Sequence, residues 1–170
     1  MQPLVSDGRQ ATRRYQMREK MLSIGDDFWI ENGAGQRVFK VDNKKLRLRE
    51  TFILEDPSGH EIAKIQKKAL SVRDKMKIEF DDREATVHKA LIGIRDRYKV
   101  EIDGADDLTA HGNFVDHEYE VESDGQRVAT ISKKWFRVRE TYGVEIDGAI
   151  DDALVLAITV CIDALAGIRD

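Results

Sequence analysis

Gly35 to Glu55 reads GQRVFKVDNKKLRLRETFILE, and Gly125 to Glu145 reads GQRVATISKKWFRVRETYGVE. The offset is 90 residues, and 10 of 21 positions are identical. The stretch from Gly59, GHEIAKIQKKALSVRDKMKIE, follows the same pattern 24 residues after the first. Internal repetition at a fixed period is the strongest single constraint a sequence places on a fold. The second half of the unit reads apolar, any, apolar, Arg, acid, any, aromatic or Met, any, apolar, Glu. It recurs from Leu22, Leu46, Leu70, Ile92, Asn113 and Phe136, at spacings of 21 to 24 residues. Gly25 replaces the Arg in the first copy, and the copy from Asn113 fits least well.

A period that short holds two strands and two turns. Alternation marks the strands: Phe52 and Leu54, Met76 and Ile78, Tyr98 and Val100, Tyr119 and Val121, Tyr142 and Val144. Turn residues separate the units at Asn32-Gly33, Asp56-Pro57-Ser58-Gly59, Asp81-Asp82, Asp103-Gly104, Asp124-Gly125 and Asp147-Gly148. Six units give about twelve short strands in sequence, as in a barrel or sandwich.

The C-terminal segment decides between those. Asp151 and Asp152 can cap and charge a helix N-terminus. Ala153 to Ile162 is then apolar except at Thr159. A helix apolar on all faces must be buried on all faces. A barrel of about twelve strands has a lumen too wide for its own side chains to fill. The sequence thus predicts a mainly β protein: a closed, roughly twelve-stranded antiparallel barrel of six two-strand repeats around a buried C-terminal helix at about 150–166. Residues 1–12 read as a flexible tail and 13–170 as one barrel domain. The apolar run is too short for a bilayer span, which needs about 20 residues.

Composition narrows the function classes. The net charge is -4, with 35% charged residues and a pI near 5.6. Nucleic-acid binding is disfavoured, since such domains are usually basic overall. Cys161 is the only cysteine, so no internal disulfide can form, and a reducing cytoplasmic setting is expected. No secretory leader is recognisable at the N-terminus.

Tyr15-Gln16-Met17, the run from Asp26-Asp27-Phe28 to Phe39-Lys40-Val41, the LRLRETFILED segment and the apolar C-terminal helix resemble the LURP-one-related family. That family is similar in fold to the Tubby C-terminal domain and to phospholipid scramblases. The resemblance extends from about residue 13 to 167 and implies a twelve-stranded barrel around a central helix. It implies little about activity. Tubby domains bind phosphoinositides through basic residues, but their lipid-site motif is not recognisable here, and no residue is carried over.

Four sets of residues could carry chemistry. The Arg-acid pairs Arg49-Glu50, Arg73-Asp74, Arg95-Asp96 and Arg139-Glu140 place an acid on the apolar side of the strand by alternation. A buried carboxylate can serve as acid or base. A fourfold recurrence instead suggests fold grammar, a bend or bulge where the acid is partnered. The second set is basic. Aligned units place Lys20, Lys44, Lys68, Ala90, His111 and Lys134 at one repeat position, with Arg18, Lys45, Lys67, Lys89 and Lys133 beside it. These fall at the connections within units, and the acidic turns (Asp56, Asp81, Asp82, Asp106, Asp107, Asp124, Asp147) fall between units. An up-and-down barrel would then have one basic and one acidic rim. Like-signed clustering creates local potential even on an acidic protein.

The third set, His60, His88, His111 and His117, matches no metal motif in its spacing and reads as solvated turn histidines. The fourth is Cys161, mid-helix between Val160 and Ile162, which reads as a small buried hydrophobe. Trp29 and Trp135 read as strand packing residues. Neither a Gly-rich phosphate loop nor a serine nucleophile elbow is present, and no metal or cofactor is expected.

The expected function is a non-enzymatic binding module. It would meet anionic lipid headgroups at a membrane periphery, or an acidic protein partner, through Lys20, Lys44, Lys45, Lys67, Lys68, Lys89, Lys133 and Lys134. The alternatives are a small-molecule carrier with its ligand between barrel wall and helix, and an enzyme using the buried carboxylates.

Overall fold

The computed structural model describes residues 11–18, 27–44, 49–68, 75–90, 96–135 and 141–166. Twelve strands run in chain order: β1 (Arg13–Arg18), β2 (Phe28–Asn32), β3 (Arg37–Asn43), β4 (Thr51–Glu55), β5 (Glu61–Lys67) and β6 (Lys75–Phe80), then β7 (Arg83–Ala90), β8 (Arg97–Ile102), β9 (Leu108–Asn113), β10 (Glu118–Ser123), β11 (Gln126–Ser132) and β12 (Thr141–Ile146). Each is antiparallel to its sequence neighbour, and β1 pairs with β12 from Arg13↔Ile146 to Arg18↔Thr141, which closes the barrel. Closure leaves no strand edge open to another chain.

The period-two pattern sets the inner face. Phe52, Leu54, Met76, Ile78, Tyr98, Val100, Tyr119, Val121, Tyr142 and Val144 are all buried. The final helix, α1 (Asp152–Leu165), is buried without interruption from Leu154 to Asp163. Asp151 caps it, its side chain accepting from the amides of Ala153 and Leu154 at 2.8 and 3.4 Å. This satisfies donors that a helix start leaves open. Asp152 instead turns to the wall, where Arg13 donates to it at 2.6 Å and the Tyr15 hydroxyl donates to its other oxygen. These bonds tie the start of the helix to β1.

The helix lies closest to β5, β6, β7 and β12. Ala63 on β5 and Ala85 on β7 face inward there, and their small side chains allow the approach. On the β8–β10 side an aromatic cluster takes up the volume. Tyr98 meets Phe114 edge-on at 4.6 Å, and Phe114 meets Tyr119 at 4.9 Å. Such edge and tilted pairs are favoured by the ring quadrupoles.

Three register shifts recur at one repeat position: Ile30/Glu31, Leu54/Glu55 and Val121/Glu122. Each falls at the apolar-Glu step that ends the repeat unit. A bulge there bends the hairpin and raises its twist. These bulges lie away from the Arg-acid pairs, where a bend or bulge is expected. Arg49 lies in a bend just before β4, and Glu50 is half-buried. Asp96 is exposed and pairs with Lys89, so the inward acid expected there is corrected. Arg73-Asp74, Arg95, Arg139-Glu140 and the N-terminal tail to residue 10 lie outside the described residues.

Candidate functional site: the rim around the helix end

Strand order fixes two rims. Connections β1–β2, β3–β4, β5–β6, β7–β8, β9–β10 and β11–β12 share one of them, and the remaining connections share the other. The first rim receives Lys44, Lys67, Lys68, Lys89, Lys133 and Lys134; Lys20 and Lys45 lie outside the described residues. The second receives Asp56, Asp81, Asp82, Asp106, Asp107, Asp124 and Asp147, and there α1 begins. The helix therefore enters at the acidic turns and ends at the lysine-bearing rim.

The lysines do not stand in isolation. Lys44 pairs with Asp42, Lys68 with Glu84 at 3.7 Å, and Lys89 with Asp96 at 3.2 Å. The Lys44 ammonium holds the Asp42 carboxyl below the usual carboxylate range. Lys67, Lys89 and Lys134 are exposed, while Lys44, Lys68 and Lys133 are half-buried. Pairs this open to solvent are each worth about 0–1 kcal/mol, so a competing anion can displace them.

A cleft of about 540 Å³ opens on this rim beside the end of the helix. Lys89, Asp96, Arg97 and His111 form its polar lip, and Tyr98, Phe114 and Leu165 supply apolar wall. Val115, at the tip of the β9–β10 connection, also lines it and is 66% exposed. That is a large apolar side chain offered to solvent.

Just beneath the rim lies a polar group that linear spacing does not reveal. His117 and Asp163 are each 1% exposed, with Nε2 and Oδ1 3.1 Å apart. Tyr142 donates to the other Asp163 oxygen at 2.6 Å and stacks on His117 with centroids 4.1 Å apart. His117 is therefore a core residue, which corrects its reading as a solvated turn histidine. It adopts φ 52°, in the left-handed region, at the end of the tight β9–β10 connection. Tyr98 is also buried, and burial with the nearby Asp96 and Asp163 charges pushes its hydroxyl up to about 12.

On the outer wall, the strand pairing places His111 opposite Glu120, and His111 Nε2 lies 2.9 Å from Glu122 Oε1. Nothing in the linear sequence joins these three. They meet because β9 and β10 form a hairpin and residues two apart on a strand share a face. Trp29 and Trp135 lie half-buried on the wall under Arg37 and Arg14, with cation-to-ring distances of 5.5 and 4.9 Å. Cys161 is fully buried, and burial pushes its thiol upward, so it is inert as a nucleophile. No helix among the described residues is long and apolar enough to cross a membrane.

A closed antiparallel barrel threaded by its own C-terminal helix defines a specific architectural class. A solved X-ray structure of a protein from Arabidopsis thaliana has it too, with a TM-score of 0.59, 15% identity, and 91% of each chain covered. At that identity the likeness is one of fold. The LURP-one-related family model matches residues 13–163, and the chain belongs to that family. No curated protein matches the sequence.

Proposed function

We propose that this protein is a non-enzymatic binding module whose lysine-bearing rim adsorbs to membranes carrying anionic lipid headgroups. One observation carries the reading. The rim that gathers Lys67, Lys89, Lys133 and Lys134 also presents Val115 and the cleft lined by Lys89 and Arg97. Basic residues near an anionic surface contribute roughly 1 kcal/mol each, and a shallow apolar tip adds burial at the headgroup boundary. The acidic turns on the opposite rim would face away from the membrane and orient the barrel.

Vesicle co-sedimentation tests this. Binding to phosphatidylserine-containing vesicles should exceed binding to neutral ones and weaken as salt shortens the Debye length to about 8 Å at physiological strength. The triple variant Lys67→Glu, Lys89→Glu, Lys134→Glu, at exposed positions, should lose binding and keep its fold. Asp106→Lys with Asp107→Lys should not weaken binding. If the native protein ignores anionic vesicles at low salt, the reading fails.

The cleft supports a second reading, a carrier of a small anionic amphiphile. Its volume is in the range of ligand sites, and it lies between the barrel wall and the end of the helix. Monomeric dodecyl phosphate should then perturb the NMR signals of Phe114 and Leu165 without any vesicle present. No perturbation at saturating monomer would exclude it.

A further inference from the structure

We infer that His111, Glu120 and Glu122 form a binding site for a divalent transition-metal ion, with zinc the best match. The imidazole and the two carboxylates each offer a ligand atom, and all three atoms lie within 4.8 Å of one another. Tetrahedral zinc with bonds of about 2.0–2.2 Å needs ligand atoms about 3.3–3.6 Å apart. His111 Nε2 and Glu122 Oε1 are in direct contact at 2.9 Å, and this pair must open slightly to admit the ion. Small side-chain rotations therefore complete the set without moving either strand.

The hairpin register brings the three groups together. His111 and Glu120 are direct register partners across the β9–β10 hairpin, and Glu122 follows two residues on, on the same face. All three are half-buried, which reduces the side-chain entropy lost on binding and leaves further positions open to water. One imidazole with two carboxylates suits zinc, manganese, cobalt or nickel. It suits magnesium and calcium poorly, because these prefer oxygen throughout. Two carboxylates on one face of a strand repel each other, and a divalent ion relieves this more fully than the present cationic neighbours. Arg127 is one such neighbour, with Nη1 3.6 Å from Glu120. It competes for that carboxylate, and this competition separates a metal site from a plain ion-pair network.

The test is zinc titration of the full chain by calorimetry, with cobalt absorption as a second readout. The expected result is one zinc per chain and a cobalt spectrum of low-coordinate, nitrogen- and oxygen-ligated type. His111→Ala and Glu122→Gln should each weaken binding at least about tenfold, since even removal of groups behind the ligands typically costs 10–100-fold. Arg127→Ala should tighten it. Circular dichroism of each variant checks that the half-buried hairpin face tolerates the change. Absence of binding to the native chain at about 0.1 mM zinc, or equal affinity in His111→Ala, overturns the proposal.

Discussion

His117 and Asp163 lie 46 residues apart in the chain, yet their side chains meet at 3.1 Å with 1% of each exposed. The contact joins the β9–β10 connection to the last turns of α1 and so fastens the far end of the helix. Asp163→Ala removes the acceptor for both His117 and Tyr142. Losing the acceptor of a buried hydrogen bond costs about 1–3 kcal/mol. The expected loss is therefore of order 3 kcal/mol in urea unfolding, with Asp163→Asn, which keeps one acceptor oxygen, losing less. Equal stability of the alanine variant and the native chain would mean that water replaces the carboxylate.

Gly112 should be far less replaceable than Gly59. Its φ is 137°, and a Cβ there would come within 2.7 Å of the Glu118 carbonyl oxygen and the Tyr119 Cα. Gly59, at φ 86°, has nothing within 4 Å of the same point. Both alanine variants carry backbone strain of about 1–3 kcal/mol, but only Gly112→Ala adds overpacking of about 1–3 kcal/mol. Thermal melting of the two variants side by side should show the larger drop for Gly112→Ala.

The barrel was legible in the sequence because its unit recurs six times and each copy supports the others. The helix was legible because a segment apolar all round has only one kind of place to go. The rim that carries Lys44, Lys68 and Lys134 follows from strand order alone. The sequence could not show that Glu84 would pair with Lys68, because these side chains meet across strands, whereas Asp42 lies only two residues from its partner Lys44. His111 likewise meets Glu120 and Glu122 across strands. His117 was misread because the β9–β10 copy departs most from the repeat, and an inward histidine needs Asp163, which local sequence does not connect to it. One signal was available: Asp163 follows directly on the apolar run and sits four residues beyond Thr159 on a helix with no exposed face. A carboxylate there must be partnered.

Alkaline pH should destabilise the fold through its tyrosines. Burial raises the Tyr98 hydroxyl from 10.0 to about 12, and burial also leads the upward shifts of Tyr15 and Tyr119. An unfolded chain ionises these phenols near pH 10, but the folded chain keeps them neutral. Their stabilisation is therefore complete below pH 10 and is lost as pH rises from 10 towards 12. Urea midpoints should fall over that window, and Tyr98→Phe should make the fall shallower. Phenolate absorbance should appear together with unfolding; its appearance in the folded chain would contradict the assignment.

Leu156 and Cys161 are both fully buried on α1, and together they report whether the helix ever leaves the barrel. Leu156→Asp forfeits about 1.5–3 kcal/mol of side-chain burial and places an unpaired carboxylate in the core at a cost of several more. A domain has only about 5–15 kcal/mol of stability in total. The variant should therefore lack a cooperative melt, and so should a chain ending at Gly148. In the native chain a thiol reagent must wait for the helix to open, because the Cys161 thiol has no solvent exposure and burial disfavours its thiolate. Labelling should be slow in buffer, fast in denaturant, and intermediate in variants that loosen the rim, such as Asp163→Ala. Rates that track global stability across these variants would show that the helix leaves only when the barrel unfolds. Fast labelling of a chain with an intact native melt would instead show that the helix slides out by itself, and the plug would then be a mobile element.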